Sequence, residues 1–247
     1  NFNNIANNNF LPKEKNFKII EEFEHNYISL FDGKIVSKDF SYEEKNKVLI
    51  DNFNYKDELI FDNKNPLYIL NNALSTGGFS LEISKNYKLK KPLIIYNNFS
   101  NSLKETIVNY KNLIILNENS ELNLINYINN SSRENFMVNT VENIKMKKDS
   151  SLNNILINNS KCNGYFYKYI KCDLEKNSSL ENYLISSGLK FNKLDIEINL
   201  NEEYSKSSVF SALNLMNNEH QEIKTRINHN APHCHSYQKV KNVLNNE

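Results

Sequence analysis

From Leu113 to Leu215 the chain alternates short apolar runs with short polar phrases at a nearly constant step. The phrases are Asn119-Ser120-Glu121-Leu122, Asp149-Ser150-Ser151-Leu152 and Asn177-Ser178-Ser179-Leu180, with a looser copy at Tyr204-Ser205-Lys206-Ser207. Counted on the serine, from Ser120 through Ser150 and Ser178 to Ser205, the phrase returns about every 28 residues, and a near-constant period of that size marks a stacked repeat. Apolar runs of strand length lie on both sides of each phrase: Leu113 to Leu116, Val141 to Met146, Tyr169 to Leu174 and Leu194 to Leu200 before it, and Leu122 to Ile128, Leu152 to Ile157, Tyr183 to Ile185 and Val209 to Leu215 after it. The run from Leu194 to Leu200 alternates strictly, as a strand with one buried face does. Two strands and two turns in about 28 residues make one coil of a parallel β-helix. The polar phrases suit the turns, because Asn, Asp and Ser bond their own backbone and tolerate tight dihedrals. An antiparallel sandwich would not need equal steps.

The stretch up to Asn65 reads differently. Phe17 to Phe23 has helical spacing, Phe31 to Val36 predicts a hairpin around Gly33, and Tyr42 to Ile50 fits a helix or a strand. We read 1–65 as a small mixed α/β cap covering the first coil, and 66–247 as the all-β domain, a parallel β-helix. Pro66 opens a helix-permitting stretch, Leu67 to Leu74, that ends at Gly77-Gly78, where a turn is required. The repeat starts near Phe79, with Lys85-Asn86-Tyr87 as a diverged copy of the turn phrase. Nothing resembling a closing cap follows Leu244, so the last strand edge calls for a partner, further sequence or solvent, and a homodimer through that edge is one expectation.

Composition narrows the function. A net charge of +1, from 30 basic and 29 acidic residues, gives no general field for nucleic acid or a membrane surface. The heavy use of Asn alongside Lys and Ile reflects an AT-rich genome more than chemistry. Three cysteines, Cys162, Cys172 and Cys234, include no CxxC pair, and an odd count argues for a reducing compartment. Cys172 alternates with Ile170 and Leu174 and is expected in the core. No signal peptide or long apolar span is visible, and a start at Asn1 without Met fits a fragment or a processed product.

The only cluster with ligand-type side chains is His229, His233, Cys234 and His235, whose imidazoles and thiol would suit iron or zinc. On an extended segment His233 and His235 point to one face and Cys234 to the other. The spacing lacks a paired-ligand signature, so a structural role is favoured over a metal or cluster-transfer role. His25 and His220 are isolated. Asp195 and Glu197 share a strand face and are expected on the solvent side, which leaves a carbohydrate-active β-helix enzyme as an alternative if an exposed carboxylate groove exists. A free-standing metal-binding repeat protein is a third reading. The stretch Tyr165 to Tyr169 reads as an aromatic ladder between coils in preference to a base- or sugar-stacking surface, and an internal Asn ladder at the turns is a further expectation. The chain has no GxxxxGK[ST], GxSxG, HExxH or GxGxxG.

The order Asn230-Ala231-Pro232-His233-Cys234-x-Ser236-x-Gln238-x-Val240-Lys241-x-Val243-Leu244 resembles the segment of SufD proteins that precedes their final coils. Leu70-Asn71-Asn72-Ala73-Leu74 through Gly78, then Leu89-x-x-Pro92-Leu93, is similar to the start of their β-helix, so the resemblance spans Pro66 to Leu244. The related SufB subunit lacks the Pro-His-Cys-x-Ser wording. The resemblance implies a right-handed parallel β-helix and a scaffold subunit of the SUF iron-sulfur cluster assembly machinery, not a hydrolase, acting with a SufB-like subunit and a SufC-like ATPase. It implies no firmly bound cofactor, with iron or an iron-sulfur cluster passing transiently at the complex interface. It also implies the cytoplasm of a bacterium or a plastid-type organelle. The family's C-terminal helical region, which docks SufC, and its later interface His have no counterpart in the matching segment and are not carried over.

Overall fold

The computed structural model describes residues 19–54, 65–128, 134–216 and 218–245, and the backbone alone at 4–5 and within 159–161. Its strands are β1 (Asn4–Ile5), β2 (Asn26–Phe31), β3 (Lys34–Asp39), β4 (Val48–Asn52), β5 (Phe79–Ile83), β6 (Leu93–Asn98), β7 (Thr106–Leu116), β8 (Glu121–Ile128), β9 (Met137–Met146), β10 (Ser151–Leu174), β11 (Ser179–Leu200), β12 (Lys206–Met216), β13 (His220–His229) and β14 (His235–Asn245), with helix α1 at Pro66–Leu74. They wind into a parallel β-helix of about five turns. A front sheet stacks β6, β8, the first half of β10, the first half of β11, β12 and β14. A back sheet stacks β5, β7, β9, the second halves of β10 and β11, and β13.

The register answers the sequence pattern directly. Leu122, Leu152 and Leu180 are Cα partners in adjacent coils, and the column continues through Ser207 and Ser236. The coils thus repeat with a roughly 29-residue spacing. A buried apolar interior runs along the axis between the sheets, from Ile28 and Leu30 at the capped end to Leu200 and Val209. Both long strands cross from front to back within themselves. β10 does so through register shifts around Cys162, and β11 bends at Gly188, which has a φ of +81°.

The corners between back and front sheets share one conformation. Asn86, Asn119, Asp149, Asn177, Tyr204 and His233 all have positive φ, between 56° and 62°, a region Asn and Asp enter at low cost. The next residue in the three serine phrases folds back. The Oγ of Ser120, Ser150 and Ser178 donates to the carbonyl three residues earlier at 2.6 to 2.7 Å, and the backbone N–H of each reaches the same carbonyl at 3.1 to 3.2 Å. All three serines are buried, and that carbonyl gives each hydroxyl the acceptor it needs away from water.

The N-terminal residues extend the same sheets. β2 pairs parallel with β6 and antiparallel with β3 across Asp32-Gly33, both at positive φ as a two-residue hairpin requires. β4 pairs antiparallel with β5, so the Tyr42 to Ile50 stretch resolves as a turn and a strand. The helical spacing at Phe17 to Phe23 is overturned over its described part, residues 19–23, which contain no helix. There the Ile20 N–H donates to the Tyr96 hydroxyl at 3.0 Å instead of to a helical carbonyl. Phe17 lies outside the described residues. The Gly77-Gly78 turn is required by close approach, since a Cβ on Gly78 would lie 1.8 Å from the Lys111 carbonyl oxygen.

Helix α1 closes the back sheet from outside. Asn65 caps it, accepting from the N–H groups of Leu67 and Tyr68, and Pro66 follows at the first helical position. Buried Asn71 donates to the carbonyls of Tyr110 and Asn139 at 3.0 and 2.8 Å.

Inside the front sheet Asn126, Asn154 and Asn182 form a buried ladder, each side chain donating to the next at 3.2 and 3.0 Å. Replacing Asn154 by Leu strands the donor of Asn126 and the acceptor of Asn182, at about 1–3 kcal/mol for each unsatisfied group. Ser150→Ala removes one hydroxyl bond and is expected to cost about 1 kcal/mol. Urea unfolding of the two variants should therefore rank Asn154→Leu as the more damaging; the reverse order would mean that the corners hold the coils together, not the ladder.

Candidate functional site

Three places combine polar chemistry with a fixed frame: the last corner, the interior, and the outer face of the back sheet. At the last corner His233 occupies the positive-φ position, and its ring stacks on Tyr204 at 5.0 Å with 9° between planes. Cys234 then takes the place that serine holds in the earlier coils. Its Sγ lies 3.2 Å from the Ser205 Oγ and 3.3 Å from the Glu202 carbonyl, which also accepts from Ser205. His229 Nε2 lies 2.9 Å from the Ser236 Oγ, and exposed His235 opens β14 with its N–H on the Ser205 carbonyl. Each candidate thus has its own structural contact. Among the described residues, no three or more His, Cys, Asp or Glu side chains form a group that could hold a metal ion.

The interior contains a charged pair that the sequence analysis did not single out. Glu142 is fully buried, and Lys168 Nζ donates to its Oε2 at 3.0 Å. Both follow from strand phase: Glu142 alternates with Val138, Ile144 and Met146, and Lys168 with Phe166, Ile170 and Cys172, all of them core residues. That phase is the signal that would have found them. A cavity of about 30 Å³ adjoins the pair, lined by Lys168, Thr140, Tyr110, Asn97, Asn126 and Asn158 among others, with room for one or two water molecules. Tyr110 crosses the interior to donate to Asn97 Oδ1 at 3.1 Å, and burial holds its phenol far above the ordinary range. Burial also raises the Cys162 and Cys172 thiols, Cys172 further so because of the Glu142 carboxylate. Both stay protonated and unreactive at neutral pH.

On the back sheet's outer face, Asp195 and Glu197 do share a side, as expected, but Asp195 does not face solvent. It is 8% exposed, and its Oδ2 accepts from the Tyr167 hydroxyl at 2.9 Å and from Asn65 at 3.0 Å. Glu197 accepts from the Tyr169 hydroxyl at 3.0 Å. Burial, then the Asp195 charge, pushes the Tyr167 phenol well above its usual range. Lys111, 2% exposed, sits over the Phe53 and Tyr68 rings and donates to Asn72 Oδ1. The Tyr165 to Tyr169 stretch divides its work by phase. Tyr165 packs at a tilt against Phe191, which stacks on His220, Phe166 and Lys168 point inward, and Tyr167 and Tyr169 meet the α1 side.

A family profile, described as SUF system FeS cluster assembly, SufBD core domain, matches residues 98–247, more than half of the chain. The chain belongs to the SufBD core family. Its matched span runs from the end of β6 through the last corner and takes in the interior pair and the serine corners. The family's work is iron-sulfur cluster assembly in the SUF system, with a scaffold role. The similarity from Leu70 to Leu93 lies before the matched span and rests on those residues alone. A search of curated proteins finds no match. No helix among the described residues is long and apolar enough to cross a membrane.

Two measurements follow for this member of the SufBD family. Lys168→Met leaves Glu142 as an uncompensated buried charge and should cost about 3–5 kcal/mol, whereas a variant carrying both Lys168→Met and Glu142→Leu should fall close to wild type. Guanidinium unfolding reads the difference, and a double variant as unstable as the single one would refute the pairing account. At the last corner, Cys234→Ser restores the residue of the earlier coils and should keep the wild-type unfolding midpoint. Ferrous or zinc titration of the wild type and of a Cys234→Ala, His233→Ala variant tests the metal role, which equal affinity would remove.

Proposed function

We propose that the chain is a SufD-type subunit of the SUF assembly machinery, a scaffold without turnover of its own, working with a SufB-like subunit and a SufC-like ATPase. The carrying observation is the Pro232-His233-Cys234-x-Ser236 wording seated on the corner repeat within the family-matched span. SufB proteins lack that wording. The iron-sulfur cluster is cargo passing at the complex interface, and this chain positions partners around it. Three features support a positioning role over chemistry. The sequence has no P-loop, so nucleotide cycling falls to the ATPase. Cys162 and Cys172 are buried as neutral thiols, which leaves Cys234, half-buried at a corner, as the accessible one. A carbohydrate-cleaving groove needs open carboxylates, whereas Asp195 and Glu197 are engaged by tyrosine hydroxyls. The setting we assign is the cytoplasm of a bacterium or a plastid-type organelle.

Tagged full-length protein, co-expressed with the SufB-like and SufC-like proteins of its source, should retain both through affinity and size-exclusion steps. Recovery of neither would overturn the scaffold reading. Reducing ends released from a polysaccharide panel by the isolated protein would replace it with the hydrolase reading.

A further inference from the structure

The outer faces of the two sheets differ in what they leave unsatisfied. α1 lies over β7, β9 and the Tyr169 side chain of the back sheet, and polar groups of that sheet pair among themselves, as in Tyr167 with Asp195, Tyr169 with Glu197 and Lys193 with Glu222. The front sheet carries two adjacent columns of apolar side chains across four consecutive coils. One column is Ile125, Ile155, Tyr183 and Phe210; the other is Tyr127, Ile157, Ile185 and Ala212. Their alternation partners, Leu124, Leu152, Leu156, Leu180, Leu184 and Val209, are core residues, so these columns point outward. Ile185 is 47% exposed, Ala212 is exposed, and the others are half-buried by their neighbours in the sheet. No described element lies over them as α1 lies over the back sheet.

The two ends of this strip have different chemistry. At the capped end the columns continue into Ile94 and Tyr96, which are already buried, Tyr96 beneath His25 and the Ile20 backbone. At the other end the same columns run into exposed Lys239 and Lys241. Among the described residues neither of these two lysines has a carboxylate partner.

We infer that the front face docks an amphipathic helix of a partner protein, with an aliphatic stripe along the columns and carboxylates in its C-terminal turn over Lys239 and Lys241. Three arguments select that occupant. The central coils have both strand edges paired, so an added strand has no free backbone there. Rungs about 4.8 Å apart nearly match the roughly 5.4 Å pitch at which a helix repeats its stripe, so side chains of the helix settle between rungs. Four coils span about 15–19 Å, the length of a helix of roughly 10–13 residues. The strip covers on the order of 300 Å², well short of the roughly 800 Å² per partner of a stable protein–protein interface, which disfavours a second copy of this chain. The lysines fix polarity, because the carboxyl end of a helix carries the negative end of its dipole. None of this rests on the SufD assignment.

The test uses two fluorescein-labelled helical peptides, each about four turns long, with the same leucine stripe, one with glutamates and one with lysines in the last turn. Fluorescence anisotropy is read against the wild type, Ile185→Glu, and a variant carrying Lys239→Glu and Lys241→Glu. The glutamate peptide should bind the wild type at least tenfold more tightly than the lysine peptide. It should lose at least tenfold on Ile185→Glu, and the charge-reversed variant should prefer the lysine peptide. The order of the two peptides on the wild type needs no variant, and the swap cannot arise from misfolding. Binding of neither peptide, or a preference unmoved by charge reversal, overturns the proposal. So does light scattering that shows a wild-type dimer dissolved by Ile185→Glu, which would give the face to a second copy.

Discussion

The structure depends on one constraint: each coil must return its backbone to within hydrogen-bonding distance of the coil before it, at an unchanged register. Parallel pairing supplies the bonds, but it cannot by itself say where a coil should end. The corners say that. A residue at positive φ followed by a side chain that folds onto the carbonyl three residues back reverses the chain in a fixed number of atoms. The opposite crossings absorb variation in length. The register shifts of β10 and the bend at Gly188 both lie on that side. Coils of slightly unequal length are therefore compatible with a Leu122, Leu152, Leu180 column that never drifts.

In-register stacking then decides which side chains are tolerated. Each residue meets a neighbour roughly 4.8 Å away in the next coil, so a column of like charges would repel and a column of amides or rings attracts. Asn119 donates to Asn86 and Asn177 to Asp149 on the corners. Tyr183 stacks on Phe210, and Phe191 on His220. Opposite charges also meet in such columns, as in Lys147 with Glu175, Lys176 with Glu203 and Lys193 with Glu222. These exposed pairs contribute little stability singly; their effect is to avoid the repulsion that a same-sign column would create.

The repeat was legible because its cause is local. A serine phrase and strand-length apolar runs are visible without knowing what lies opposite, and so is the Asp32-Gly33 hairpin. What could not be read depends on distant partners. Helical spacing near Phe17 gave the wrong element over 19–23 because Tyr96, far along the chain, takes the Ile20 N–H. Asp195 looked solvent-facing because alternation names a side of the sheet, not what covers that side, and Asn65 and α1 cover it. His233 and Cys234 were metal candidates by residue type alone, with a structural role favoured, and their position one coil beyond Tyr204-Ser205 sets them in the corner series. Glu142 and Lys168 were readable in principle from phase, yet charges within an apolar pattern are easily taken for its interruption.

Burying Glu142 and Lys168 is costly in itself, since desolvation of two charges is offset only by good geometry, and an apolar pair would stabilise the coil at least as well. Register is held elsewhere in the polar interior, by the amides. A slip of one residue between coils turns every side chain to the wrong face, so the apolar pattern alone forbids it. A slip of two residues turns inward positions back inward, and the hydrophobic term barely notices. The polar interior does notice. Two residues out of step, Asn154 no longer lies opposite Asn182, its partner in register. Each amide group orphaned in this way costs about 1–3 kcal/mol. Polar groups inside this β-helix thus discriminate where aliphatic ones cannot, and a scaffold whose surfaces must meet partners in fixed positions needs that discrimination more than it needs added stability.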